Sequence, residues 1–231
     1  MLKANPAVQP DLQWHTFDNF DALSTALSEQ WLSLIQQASS GSSFALAGGS
    51  TPSPVYRKLD ALLAQNKTPA LCKLVATDER WVTDADAQSN EGLFRRCFEQ
   101  SMDKGQTTLV SLKDAASTPE IATSAIHQRL QQQLPQAFDA VLIGMGADGH
   151  VASLFPGAPV QHDDLDCLAA LHPQTRQCRM SLSLPRLVNT RRLWLVISGA
   201  EKRQVLENAA DLPVAALVRA AGCTVDVFWC P

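Results

Sequence analysis

An aspartate and a histidine two residues apart, Asp148 and His150, lie in the segment Asp139-Ala-Val-Leu-Ile-Gly-Met-Gly-Ala-Asp-Gly-His-Val-Ala-Ser-Leu-Phe-Pro-Gly157. A neutral imidazole takes up a proton near pH 7 and a carboxylate beside it orients or tunes the ring, so the pair suits general acid–base chemistry. The surroundings fit that use. Ala140 to Met145 is a short apolar run, as expected of a strand covered on both faces, and the glycines after it let the chain turn sharply at the strand's carboxyl end. Open parallel sheets bind their ligands along that edge. A structural histidine capping the turn is the plainer alternative. His15, His127, His162 and His172 lack such a setting and read as surface positions.

Three further clusters suit anions. Gly48-Gly49-Ser50-Thr51-Pro52 stands between a strand pattern and a helix pattern. Its glycines allow close backbone approach, and the N–H groups at the helix start carry partial positive charge, so the turn suits a phosphate; it reads equally as an ordinary connection with a Ser/Thr cap. No Gly-Lys-Ser/Thr follows, so it is not a Walker A loop. Asp78-Glu79-Arg80 directly follows a buried strand pattern, where arginine suits an oxyanion or phosphate, although on this segment alone a surface turn with local ion pairs is the plainer reading. Arg179 opens an alternating strand, and Lys202 sits in the first turn of a helix, where a cation opposes the helix dipole unless an anion is held there, although a solvated lysine is the commoner case. Gly144 to Gly149 matches Gly-x-Gly-x-x-Gly, but Pro156 and Gly157 cut short the helix that a dinucleotide fold requires, and no second strand ending in an acid follows.

These groups need a frame, and the chain supplies one. Its 231 residues suffice for a full core, and one domain over 1–231 is the simplest reading. With 18% charged residues and a net charge of −4 there is no broad electrostatic reason to bind nucleic acid. Met1 to Pro10 has no apolar leader core, and no later stretch approaches the length of a bilayer span, which points to the cytoplasm and to no membrane partner. The six cysteines form no Cys-x-x-Cys pair and read as reduced thiols, Cys72 as a core hydrophobe. The stretch His162 to Asp166, even with His172, lacks i, i+4 ligand spacing and reads as a solvated acidic loop rather than a metal site. A monomer and a dimer are both compatible with the sequence.

Helical and extended patterns alternate throughout, predicting an α/β fold with a mainly parallel sheet flanked by helices on both faces. Helices are expected over Asp18–Gln37, Pro54–Gln65, Ser89 or Asn90 to about Gln100, Thr118–Leu134, Glu201–Ala210 and Val214–Ala221. Strands are expected at Ser43–Ala47 (the first), Leu71–Ala76, Leu109–Leu112, Ala140–Met145, Cys178–Leu184, Leu193–Ile197 and Thr224–Trp229, with Pro156–Thr175 a surface loop.

The chain resembles the 6-phosphogluconolactonases over nearly its whole length. The matching motifs are Leu46-Ala-Gly-Gly-Ser-Thr-Pro52, Thr77-Asp-Glu-Arg80 with Ser89-Asn90, Gly144 to His150 through Phe155-Pro-Gly157, Arg179-Met-Ser-Leu-Ser-Leu-Pro185 and Ser198-Gly-Ala-Glu-Lys202. The resemblance implies a Rossmann-like fold shared with glucosamine-6-phosphate deaminases, and hydrolysis of 6-phospho-D-glucono-1,5-lactone in the oxidative pentose phosphate pathway. It implies neither a metal nor an organic cofactor, and a small sugar-phosphate lactone as the partner. The expected catalytic set is His150, Asp148 and Arg80. The expected substrate- and phosphate-binding set is Gly48, Gly49, Ser50, Thr51, Asp78, Asn90, Gly146, Gly149, Arg179 and Lys202. The deaminases carry glutamate where this chain has Phe155, and tend to carry tyrosine where it has Arg80, a departure that favours the lactonase; an amino-sugar-phosphate deaminase or isomerase is the alternative, and a non-catalytic sugar-phosphate sensor a further one.

Overall fold

The computed structural model describes residues 12–38, 41–65, 71–158 and 164–231. His162, Asp163 and the opening decapeptide lie outside them. The elements, in chain order, are β1 (Leu12–Thr16), α1 (Phe20–Gln37), β2 (Ser42–Leu46), α2 (Ser53–Gln65), β3 (Cys72–Ala76), β4 (Asp78–Arg80), α3 (Asn90–Cys97), α4 (Glu99–Asp103) and β5 (Thr107–Val110). There follow α5 (Pro119–Gln133), β6 (Ala140–Ile143), β7 (Cys167–Leu171), β8 (Cys178–Leu182), α6 (Leu184–Val188), β9 (Leu193–Ser198), α7 (Ala200–Glu207), α8 (Pro213–Ala220) and β10 (Val225–Cys230).

Seven strands form one parallel sheet in the order β1-β10-β9-β6-β2-β3-β5. The central strands β2, β3, β6 and β9 are apolar and almost wholly buried, as a sheet covered on both faces demands. From β2 the chain steps through β3 to β5 toward one edge; from β6 it steps through β9 and β10 toward the other. Right-handed crossovers therefore place α1 to α4 on one face and α5, α7 and α8 on the opposite face. Trp31 of α1 is fully buried among Phe44, Tyr56, Phe98 and Trp194 on the first of these. The reversal leaves β2 and β6 side by side and opens a crevice between their carboxyl ends, the switch point at which such sheets take ligands.

A second, antiparallel sheet, β4-β8-β7, was not foreseen. Only Thr77 separates β4 from β3, and its backbone serves both sheets: its N–H donates to Leu46 O and its C=O accepts from Leu182 N–H, each at 2.8 Å. Asp78-Glu79-Arg80, for which a surface turn is the plainer reading of the sequence alone, is thus a strand with two buried acids. Glu79 is wholly buried and accepts from the N–H groups of Arg80, Asn90 and Glu91 at 2.7, 2.9 and 2.7 Å and from Ser89 Oγ at 3.2 Å. Its negative charge lies at the positive end of α3, with Lys113 Nζ 3.5 Å away.

Other departures have equally local causes. The first strand is β1, not Ser43–Ala47; it is a sheet-edge strand whose Leu-Gln-Trp-His-Thr pattern is only half apolar. Part of the expected 156–175 loop is β7, which covers α5. The strand expected to reach Leu184 stops at Leu182, where Ser183 caps α6. The helix expected to run to Gln100 breaks at Phe98 into α3 and α4. His15 is no free surface residue: its Nε2 lies 2.8 Å from Asp226 Oδ1 and its ring stacks on Phe228. His127 Nδ1 accepts the N–H of Asp166. All six cysteines are free, and burial pushes the Cys72 and Cys167 thiols up to about 12, as befits small core hydrophobes. Among the described residues no helix is long and apolar enough to cross a membrane.

Glu79→Ala removes the acceptor of three backbone donors and the counter-charge of Lys113. Its expected cost is about 3–5 kcal/mol of unfolding free energy, measured by denaturant titration.

Candidate active site

A cavity of about 260 Å³ occupies the β2/β6 crevice. Gly48 to Thr51, Asp78, Arg80, Gly146, His150, Arg179 and Lys202 all line it, so the histidine and the distant lysine share one space. Asp148, Asn90 and Gly149 are not in that lining but contact His150, Gly48 and Gly146, respectively, which are. The Asn90 amide, buried at the start of α3, donates to Asp78 O at 2.7 Å and packs so closely on Gly48 that a Cβ there would overlap it. Gly149 has φ +78° and lies against Leu212, whose Cβ would stand 2.8 Å from an added methyl.

The loop after β2 is pinned from beneath. Tyr56 OH donates to Ala47 O at 2.6 Å, and Ser53 Oγ donates to Gly49 O and Ser50 O at 3.1 and 3.0 Å. Gly49 takes φ +94° with open space where a side chain would be, so backbone faces the cavity at the N-terminus of α2.

The glycine turn after β6 closes on itself: Gly146 N–H donates to His150 O at 2.9 Å and Gly149 N–H to Gly146 O at 3.0 Å. Among the described residues the next element after this turn is β7 and not the helix that a dinucleotide site requires. His150 Nδ1 lies 2.6 Å from Asp148 Oδ1, which also accepts the His150 N–H at 3.2 Å. Burial acts to raise the Asp148 pKa, but the hydrogen bonds from His150 outweigh it and hold the carboxyl below its usual value. An ionised carboxylate only accepts, so Nδ1 carries the proton of the neutral ring and Nε2 keeps its lone pair. Gly146 makes this pairing possible, because a Cβ there would overlap the imidazole and stand 2.6 Å from Asp148 Oδ1.

The lining also carries cations. Arg179, only 8% exposed, reaches Asp78 Oδ2 with Nη1 at 3.3 Å, and the same oxygen accepts from Ser153 Oγ at 2.6 Å. Burial lowers the Arg179 pKa, and Asp78 opposes that shift. Arg80 Nη1 donates to Gln88 O at 2.8 Å. Phe155 lies against this group, its centroid 5.1 Å from the rings of both His150 and His172 and 5.8 Å from Arg179 Cζ. His172, expected at the surface, is half-buried beside the site. It was missed because the β7–β8 hairpin that carries it starts inside a segment with no clear period. Among the described residues no three His, Cys, Asp or Glu side chains are grouped to hold a metal.

Gly146→Ala must separate His150 from Asp148. We expect the imidazole nitrogen resonances of His150 to lose the signature of a hydrogen-bonded Nδ1–H, as read by nitrogen-detected NMR, while the unfolding midpoint moves little.

The family described as glucosamine-6-phosphate isomerases/6-phosphogluconolactonase matches residues 18–229. A 6-phosphogluconolactonase of Caulobacter vibrioides is 34% identical over 196 residues, covering 80% of this chain and 82% of its own. One of Rhizobium meliloti is 30% identical, covering 94% and 98%. The crystal structure of a 6-phosphogluconolactonase from Shewanella baltica superposes with a TM-score of 0.87 at 27% identity, covering 96% of this chain and 98% of that one. With a match spanning nearly every element of both sheets, the chain belongs to the glucosamine-6-phosphate isomerase/6-phosphogluconolactonase family.

Proposed function

We propose that the protein hydrolyses 6-phospho-D-glucono-1,5-lactone to 6-phosphogluconate, as a cytoplasmic step of the oxidative pentose phosphate pathway, with His150 as general base and no metal. The observation that carries this reading is His150 itself: its Nδ1 is committed to Asp148, and the ring lines the same cavity as the Gly48–Thr51 loop, Arg179 and Lys202. The lactonase names of its relatives support the choice of substrate.

The phosphate sits between the N-terminus of α2, Arg179 and Lys202, where partial and full positive charges converge. Nε2 of His150 takes a proton from water as the water oxygen bonds to the lactone carbonyl carbon. Asp148 holds the ring in register and stabilises the imidazolium. Arg80, or N–H groups of the glycine turn, meets the charge that develops on the carbonyl oxygen. The tetrahedral intermediate collapses by breaking the bond from carbon to the ring oxygen, and Nε2–H returns its proton to that oxygen. The carboxylic acid so formed loses its own proton to solvent. A lactone is already activated, so one well-placed base has a modest barrier to lower.

Phe155 argues against the amino-sugar reading. Opening a sugar ring and expelling ammonia require an acid–base relay, and a phenyl ring packed on His150 cannot take part in one.

Steady-state kinetics of the purified protein on the lactone, with and without EDTA, tests the proposal, alongside an assay for ammonia release from glucosamine 6-phosphate. Hydrolysis unaffected by EDTA and no ammonia are expected; ammonia without lactone turnover would replace the reading. His150→Ala should lower kcat by about 100-fold or more with little change in KM. Lys202→Ala should raise KM by about tenfold and spare kcat, because the phosphate is gripped alike in ground and transition states.

A further inference from the structure

α7 brings Lys202 to the cavity with few holds of its own. Gly199 precedes it at φ +87° and offers no side-chain cap, and of its eight residues only Leu206 is buried. Lys202 and Arg203 both sit near the positive end of the helix, where cations are disfavoured. The hold comes from outside. Arg203 Cζ lies 4.9 Å from the ring centroid of Trp14 in the edge strand β1 and 4.8 Å from that of Trp229 in β10, so the guanidinium is held between two indoles. Its Nε donates to Glu207 Oε1 at 2.8 Å, which aligns it along the helix. The Trp229 indole N–H donates to Gly199 O at 3.0 Å, and Gly199 N–H donates to Cys230 O at 2.9 Å. One indole thus fixes the residue before α7 and flanks its fourth residue, on either side of Lys202.

We propose that the Trp14–Arg203–Trp229 cage positions Lys202, setting the pitch of α7 so that the ammonium meets the substrate phosphate; this rests on the phosphate role given to Lys202 above. Arg203 is a positioning residue and does not touch substrate. The chain's outermost strand therefore tunes substrate affinity, although Trp14 does not line the cavity.

A double-mutant cycle decides the matter. KM and kcat for the lactone are measured for Trp14→Leu and Arg203→Met, each with Lys202 intact and with Lys202→Ala, together with thermal melts and the conservative variant Arg203→Lys. Trp14→Leu leaves every charge in place, so its effect separates position from long-range attraction. The expected result is a rise in KM of about 3- to 10-fold for either variant with kcat within about twofold, most of it recovered in Arg203→Lys, and no further rise once Lys202 is gone. Equal KM increments in the two backgrounds, or none in either, would overturn the cage's role and leave the lysine's intact. Lys202→Ala with unchanged KM would instead overturn the phosphate grip, and the cage proposal with it. Arg203→Met guards against the case in which Trp14→Leu fails to fold.

Discussion

A carboxylate with no contact to water fixes the geometry of one whole side of the cleft. Buried charge is tolerated only where fixed dipoles or counter-charges replace the lost hydration, and Glu79 has both, in the N-terminal amides of α3 and in Lys113. The same contacts order what lies around them. Because Glu79 holds the start of α3, Asn90 presses its amide against the backbone of Asp78 and the face of Gly48. Asp78, so oriented, meets Arg179 across the paired strands β4 and β8 of the small sheet. The loop after β2, the acid and the arginine are therefore held by one connected set of contacts, and each member limits where the next can lie.

The topology supplies the other half. The carboxyl ends of β2 and β6 can share a crevice only because the chain leaves them toward opposite edges, and each delivers a glycine-bearing turn to that crevice. The two turns differ in construction. The first is braced from below by Tyr56 and Ser53 and offers backbone to a ligand; the second curls upon itself and offers a side chain. In the proposed reaction, binding and proton transfer would thereby fall to separate strands, with the distance between them set by the sheet rather than by flexible loops.

Much of this was legible in the residues. Strands covered on both faces are plain apolar runs, so the strands at Ala140 and Leu193 declared themselves, the first expected to Met145 and ending at Ile143, and the amphipathic helices α1, α2 and α5 fell within one or two residues of their observed ends. The small sheet was not legible, because what makes it possible is distant in sequence. Asp78-Glu79-Arg80 is as polar as any surface turn until Ser153, Arg179 and the start of α3 are brought to it. β1 and β7 are edge strands whose mixed composition reflects one covered and one open side. In the site, the residue types pointed to Asp148, His150, Arg179 and Lys202, while His172 and the supporting place of Asn90 depended on packing that only the fold creates.

The pairing of β1 with β10 also bears on how the molecule is made. Leu12 to Thr16 lie alongside Val225 to Trp229, so the first strand of the sheet can find its neighbour only after the last has left the ribosome. Until β10 is made the nascent chain must carry Trp14 without the surface it will cover, and the loop joining these partners spans almost every other element of the fold. The outer margin of the sheet is thus expected to be the latest part to set, arriving after the crevice between β2 and β6 has already taken shape.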